Sequence, residues 1–194
     1  MSRAGAIVPP AADPPLGSEA DEPTSHRRTY VNPASATPDQ LPPLGLTWGI
    51  KRSFIAYIRD LPDGTVSATD GATVVESSLF CFSPEESDYD VALGTGVLRF
   101  RGDVRLAGHH GMLFVRLLDP WIAFTGGRGV LSISTGGQGR TAVGFVHASA
   151  PREIDGSLVW ADVDVVISPE GAELFDGQYA AQQSMDPLFI RVKV

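Results

Sequence analysis

The chain has 194 residues, a formal net charge of −8 and no run of Lys or Arg longer than two. That balance offers none of the basic stripe a nucleic-acid binder presents, and it disfavours phosphate or an anionic membrane as the main partner. The one cysteine, Cys81, excludes an intrachain disulfide and any CxxC motif, and no apolar run approaches the ~20 residues needed to span a bilayer.

Residues 1–43 mix Pro, Ala, Ser, Asp and Glu without period, and nine of the fifteen prolines fall in residues 1–44. Such a segment buries too little apolar surface to offset the entropy of ordering, so the expectation is a disordered tail ahead of one domain over 44–194. The opening MSRAGAIVPP has only a short apolar run before Pro9, less than the roughly 7–15 residues of a secretory signal. As written, the chain is expected to be cytoplasmic.

Leu46–Leu61, LTWGIKRSFIAYIRDL, reads as a helix. Ile50, Phe54, Tyr57, Ile58 and Leu61 recur every three or four residues, Thr47 is the expected N-cap, and Pro62-Asp63-Gly64 supplies the stop. Beyond it the period shortens. Thr65–Ala68, Thr73–Phe82, Gly96–Phe100, Asp103–Ala107, Met112–Leu118, Trp121–Phe124, Val130–Ser134, Thr141–His147, Leu158–Ile167 and Leu188–Val194 are rich in Val, Ile, Leu, Phe and Thr. Gly, Asp and Pro separate them, as in TGGRG, TGGQG, EIDG and SPEG. The expected fold is mainly β, an antiparallel sandwich or barrel-like domain with one or two short helices, the second near Glu173–Met185.

Few residues stand out as chemistry. Ser53 and Tyr57 are four apart and share a helical face with Phe54 close by. A Tyr on such an apolar stripe is usually core, its hydroxyl finding some partner, with a ligand role the less common alternative. His109 and His110 lie in RLAGHHGML between two glycines. On an extended backbone neighbours point to opposite sides, so one of the two at most faces an interior. A two-histidine zinc chelate is awkward for that reason, and no HxxxH or CxxC accompanies it. There is no GxSxG; Ser53, His109 and Asp103 are the only hydrolytic set to assemble on paper. TGGRG and TGGQG lack the ending of a phosphate loop and read as hairpin turns. Cys81 and His147 read as filler on strands.

LTWGIKRSFIAYI (Leu46–Ile58), VRLAGHHGML (Val104–Leu113) followed by Asp119-Pro120, and FDGQY (Phe175–Tyr179) followed by Met185-Asp186-Pro187 resemble, in that order, the opening, central and closing motifs of the HtaA domain, an actinobacterial haem-binding module. The resemblance covers about residues 46–190. It implies haem transport or storage through non-covalent binding of ferric haem, without catalysis. Carried over residue by residue, it implies Tyr57 as the axial iron ligand, His109 as its hydrogen-bond partner and Ser53 near a propionate. Tyr179 would line the pocket, with Phe54 as an apolar wall; His110 departs from the family pattern and is open as a sixth ligand, a substitute partner or a surface residue, the surface being expected. A haem donor or acceptor protein would be the partner, and the family's location at the cell envelope or outside it becomes the alternative to the cytoplasm. The other function classes are a haem-free β-domain acting as an interaction module and a haem-dependent enzyme.

Overall fold

Strands built from alternating or continuous apolar residues account for most of the domain. The computed structural model describes residues 41–76 and 78–193; the expected tail lies outside the described residues except for its last three. In chain order the elements are β1 (Gly45–Trp48), α1 (Arg52–Asp60), β2 (Thr65–Thr69), β3 (Ala72–Glu76), β4 (Leu79–Pro84), β5 (Asp88–Asp90), β6 (Thr95–Arg101) and β7 (Asp103–Gly108). There follow β8 (Leu113–Leu118), β9 (Trp121–Thr125), β10 (Arg128–Ser134), β11 (Arg140–His147), β12 (Arg152–Ile154), β13 (Ser157–Ile167), α2 (Pro169–Leu174) and β14 (Leu188–Lys193).

The larger sheet runs β3-β4-β1-β14-β13-β11-β10-β9-β6-β5, with β12 added to β13. It closes on itself, because β4 also pairs with β6 through Ser83–Arg101 and Pro84–Phe100. Every pairing is antiparallel, and the β4–β6 pairing closes the sheet into a barrel while β3 and β5 flank the seam as strands paired on one side. A second sheet, β2-β7-β8, stands beside α1. The expected mainly-β antiparallel fold with two short helices is therefore the fold observed.

The boundaries differ in instructive places. Residues 45–48 form a central strand, with Leu46 paired to Phe82 on one side and Ile190 on the other. All four are buried, and a short continuous apolar run fits a buried strand as well as a helix turn. Thr47 thus sits in a strand and caps nothing, while Lys51 occupies the N-cap position and its side chain makes no capping bond. Between them Ile50 takes φ +58°, uncommon for a β-branched residue, while its side chain is fully buried. Thr73–Phe82, expected as one strand, is the hairpin β3–β4. The second helix comes earlier than expected. Ser168 accepts a bond from the Gly171 amide at 2.9 Å and Pro169 opens the helix, so SPEG is a helix start rather than a turn between strands.

The TGGRG and TGGQG stretches do connect β9 to β10 and β10 to β11, as hairpin turns. Strand β13 pairs first with β14 and then with β11, bending at a bulge after Trp160, where Asp162 has φ +50°. The core comprises Trp48, Phe80, Phe82, Phe100 and Phe175 together with aliphatic residues, and α1 contributes Phe54, Ile55 and Ile58 to it. Among the described residues no helix is long and apolar enough to cross a membrane.

Ile58 is fully buried and Met112, just past the His pair, is 81% exposed. Ile58→Ala should lower unfolding free energy by about 2–5 kcal/mol in urea titration. Met112→Ala should change it by no more than about 0.5 kcal/mol.

Candidate functional site

Helix α1 carries Tyr57 on the side away from the core. Phe54, Ile55 and Ile58 face inward, and Tyr57 remains 42% exposed. Its hydroxyl oxygen lies 2.5 Å from Nε2 of His109, with the two rings 5.9 Å apart and tilted by 43°. The structure thus brings together two side chains 52 residues apart.

The backbone around His109 is not extended. Strand β7 ends at Gly108, and His109–Gly111 form a 3-10 turn leading to β8. Both histidines lie in the left-handed region, at φ +52° and +57°. The alternation expected of a strand does not apply here; the turn itself separates the two rings. His109 is half-buried beside Tyr57, whereas the His110 side chain is 92% exposed. Two glycines make the approach of turn and helix possible. A Cβ on Gly108 would come within 2.5 Å of the Leu61 side chain, and one on Gly64 would collide with the Ile58 carbonyl.

Asp63, in the turn after α1, accepts the His110 backbone N–H at 2.5 Å. This amide, followed by weaker backbone contributions, holds the Asp63 carboxyl below its usual range against a smaller opposing effect of burial. The opposite end of α1 is held by Asp186. Its Oδ2 accepts from the Arg52 amide at 2.9 Å and from Arg52 Nε at 3.0 Å, and Lys51 Nζ lies 3.8 Å from Oδ1. The Asp186 backbone also accepts from Trp48 Nε1 at 2.8 Å and donates to the Ile50 carbonyl. A carboxylate at an otherwise uncapped helix start satisfies an orphan amide and suits the helix dipole.

Beneath the site, Phe54, Phe175 and Tyr179 meet edge to face, with centroids 5.6–6.1 Å apart. Phe54 is almost fully buried and packs into the core with these rings. Burial pushes the Tyr179 hydroxyl up, while a hydrogen bond from Ser53 opposes that rise. Ser53, Phe54 and Tyr179 are thereby one cluster one turn from Tyr57.

Asp103 belongs elsewhere. Its buried carboxylate accepts from Arg116 Nε and Nη2 and from Arg105 Nε and Nη2, at 2.6–3.1 Å. These bonds, Arg116 first, lower its pKa to about 2 despite desolvation. It is not available to orient His109, so the Ser53–His109–Asp103 set is not assembled. Cys81 is buried in β4, and burial raises its thiol pKa.

Among the described residues, no three His, Cys, Asp or Glu side chains converge to hold a bare metal ion. Tyr57 offers one oxygen donor with its own hydrogen-bond partner. Such an arrangement suits a metal whose other positions are filled by a bound macrocycle. Sequence reasoning left Asp63 as a turn residue and gave Asp186 no role; Asp63 lies three residues past the helix, but Asp186 is 134 residues from Arg52, so no local pattern could pair it with α1.

The HtaA family model matches residues 44–191. No curated protein matches the chain. Among solved structures, the C-terminal domain of HtaA from Corynebacterium glutamicum is 25% identical with a TM-score of 0.66, covering 77% of this chain and 97% of that one. The N-terminal domain of the same protein is 20% identical with a TM-score of 0.60, covering 77% and 95%. HtaB from the same organism, described as a heme binding protein, is 13% identical with a TM-score of 0.60, covering 76% and 91%. The last two share the fold.

Two outcomes follow from the carboxylates. Asp186→Ala should destabilise the fold by about 1–2 kcal/mol through loss of the cap, read by thermal or urea unfolding. Because the folded pKa of Asp103 is depressed to about 2, its stabilisation is present above the unfolded value and is lost as pH falls from about 4 to about 2, on the order of 1–2 kcal/mol. Asp103→Asn should flatten that part of the stability–pH curve.

Proposed function

The chain belongs to the HtaA family, and on that premise we propose that it binds ferric haem non-covalently, with the Tyr57 oxygen as axial ligand, for transfer or storage and not for catalysis. The observation that carries this reading is the 2.5 Å contact between the Tyr57 oxygen and His109 Nε2 on a partly exposed helix face. A neighbour of the same fold, HtaB, is described as a heme binding protein, which agrees with it.

The bound group would supply a Lewis-acidic ferric centre. The protein's part is proton management and orientation. A free phenol is protonated at neutral pH, and in that state its O–H donates to His109 Nε2. With the oxygen as an anion the roles would exchange: the proton would move to Nε2, leaving an imidazolium whose Nε2–H donates to the phenolate. The proton needs only to cross the existing hydrogen bond, and the resulting donor favours the charged oxygen. His109 also fixes the direction of the phenolic lone pair, as outer-shell partners do for metal ligands generally. Ser53 stands one turn before Tyr57 at the exposed end of its cluster, a suitable position for a propionate contact. Tyr179, packed on Phe54 and Phe175, would line the haem site. Phe54 and Phe175 make the floor rigid, so that the helix presents Tyr57 from a fixed base. A donor or acceptor protein would meet this same exposed face.

Hemin added to the purified protein should give a shifted Soret band with a high-spin tyrosinate pattern, absent in Tyr57→Ala. An unchanged hemin spectrum with wild-type protein sinks the proposal. His109→Ala should accelerate haem loss by about 10–100-fold, His110→Ala much less. Retention should weaken as pH falls, because protons compete with iron for the oxygen.

A further inference from the structure

We propose that Asp63 is the positioning residue that sets the Tyr57–His109 contact, by fastening the histidine turn to the end of the tyrosine's helix. Four observations meet at this point. Asp63 lies three residues beyond the last residue of α1, the helix that carries Tyr57. Its Oδ2 accepts the His110 N–H, the amide immediately after His109. The two histidines hold left-handed backbone conformations that L-residues with a Cβ adopt only when the surroundings enforce them. The close packing of Gly108 on Leu61 leaves the turn one approach to the helix end.

One carboxylate therefore ties the two halves of the site, with the helix on one side and the β7–β8 turn on the other. Without it, the Tyr57–His109 hydrogen bond is what still ties the turn to α1 among the contacts described above, while the Met112 amide and the β7–β8 ladder hold the turn only to its own strands. His110 contributes its backbone N–H. Its ring projects into solvent, with Nδ1 4.0 Å from the same carboxylate oxygen. The side chain at 110 is thus replaceable, whereas the acceptor at 63 is not. Asn retains a carbonyl oxygen able to accept the amide; Ala does not.

The inference deepens the haem reading and its hemin arm rests on that reading, so the experiment has a ligand-free arm as well. In full-length protein without hemin, hydrogen exchange at the His110 amide and the NMR shift of the His109 ring nitrogens are compared in wild type, Asp63→Ala, Asp63→Asn and His109→Ala. Asp63→Ala is expected to speed exchange of the His110 amide by about tenfold or more and to move the His109 ring signals to those of a solvated imidazole. Asp63→Asn should return both most of the way. In the hemin arm, Asp63→Ala should raise the rate of haem loss to apomyoglobin by about 3–30-fold, and by nothing further when His109 is already Ala. If Asp63→Ala frees the amide yet leaves the His109 ring signals unchanged, Asp63 merely staples a loop and the proposal is overturned. Additive effects on haem loss in the double variant overturn it too. If wild-type protein fails to bind hemin, the haem reading falls, and the ring signals still decide the role of Asp63. Melting of Asp63→Ala below the measuring temperature is checked by circular dichroism, with Asp63→Ser, whose shorter side chain withdraws the carboxylate, then taking its place: solvated ring signals uphold the proposal, and unchanged ones overturn it.

Discussion

Helix α1 cannot cap itself, and the site depends on what caps it instead. Lys51 stands at the N-cap with no side-chain capping bond, and the carboxylate that serves the Arg52 amide comes from Asp186, 134 residues later. That carboxylate reaches the helix because β14 pairs with β1, the last of the described strands against the first. The orientation of Tyr57 is thus a product of barrel closure. A nine-residue helix is too short to hold its shape in water alone; here the barrel supplies both the buried face and the missing acceptor.

The other end of the helix follows the same logic. Gly64 lets the chain turn tightly under Ile58, Gly108 lets β7 approach Leu61, and Asp63 binds the next turn. Each fixes a backbone position and none touches Tyr57. Meanwhile the strongest electrostatic cluster among the described residues, Asp103 between Arg105 and Arg116, joins β7 to β8 in the small sheet. It ties together the two strands that carry the histidine turn. Removing one partner would leave a buried charge uncompensated, which is why such clusters break expensively even when their net contribution is modest.

The strands were legible because alternation and turn residues report directly on a half-buried sheet. Gly126-Gly127 and Gly136-Gly137, all at positive φ, fall at the hairpins read from their neighbours. What escaped was decided by tertiary contact. Leu46-Thr47-Trp48 is apolar on every side because β4 and β14 flank it, and that leaves no period to read. SPEG looked like a separator because serine caps and strand-ending turns draw on the same residues. The His pair was read with strand geometry, yet its backbone is set by Asp63 and by glycine packing, neither of which a local pattern records. The family motifs marked Tyr57 and His109; only the fold shows that they meet.

Ile50 illustrates how such a junction is kept. A left-handed backbone at a β-branched residue costs roughly 1–2 kcal/mol, while burying an isoleucine side chain returns about 1.5–3 kcal/mol. Glycine would relax the backbone and forfeit the burial; valine would keep the strain and lose contact area. Neither exchange is a clear gain, so the corner between β1 and α1 is a local optimum that few single substitutions improve. The bend there works like a keyed hinge pin: its strain is tolerated because the side chain locks the angle at which the helix departs, and with it the bearing of every residue the helix presents.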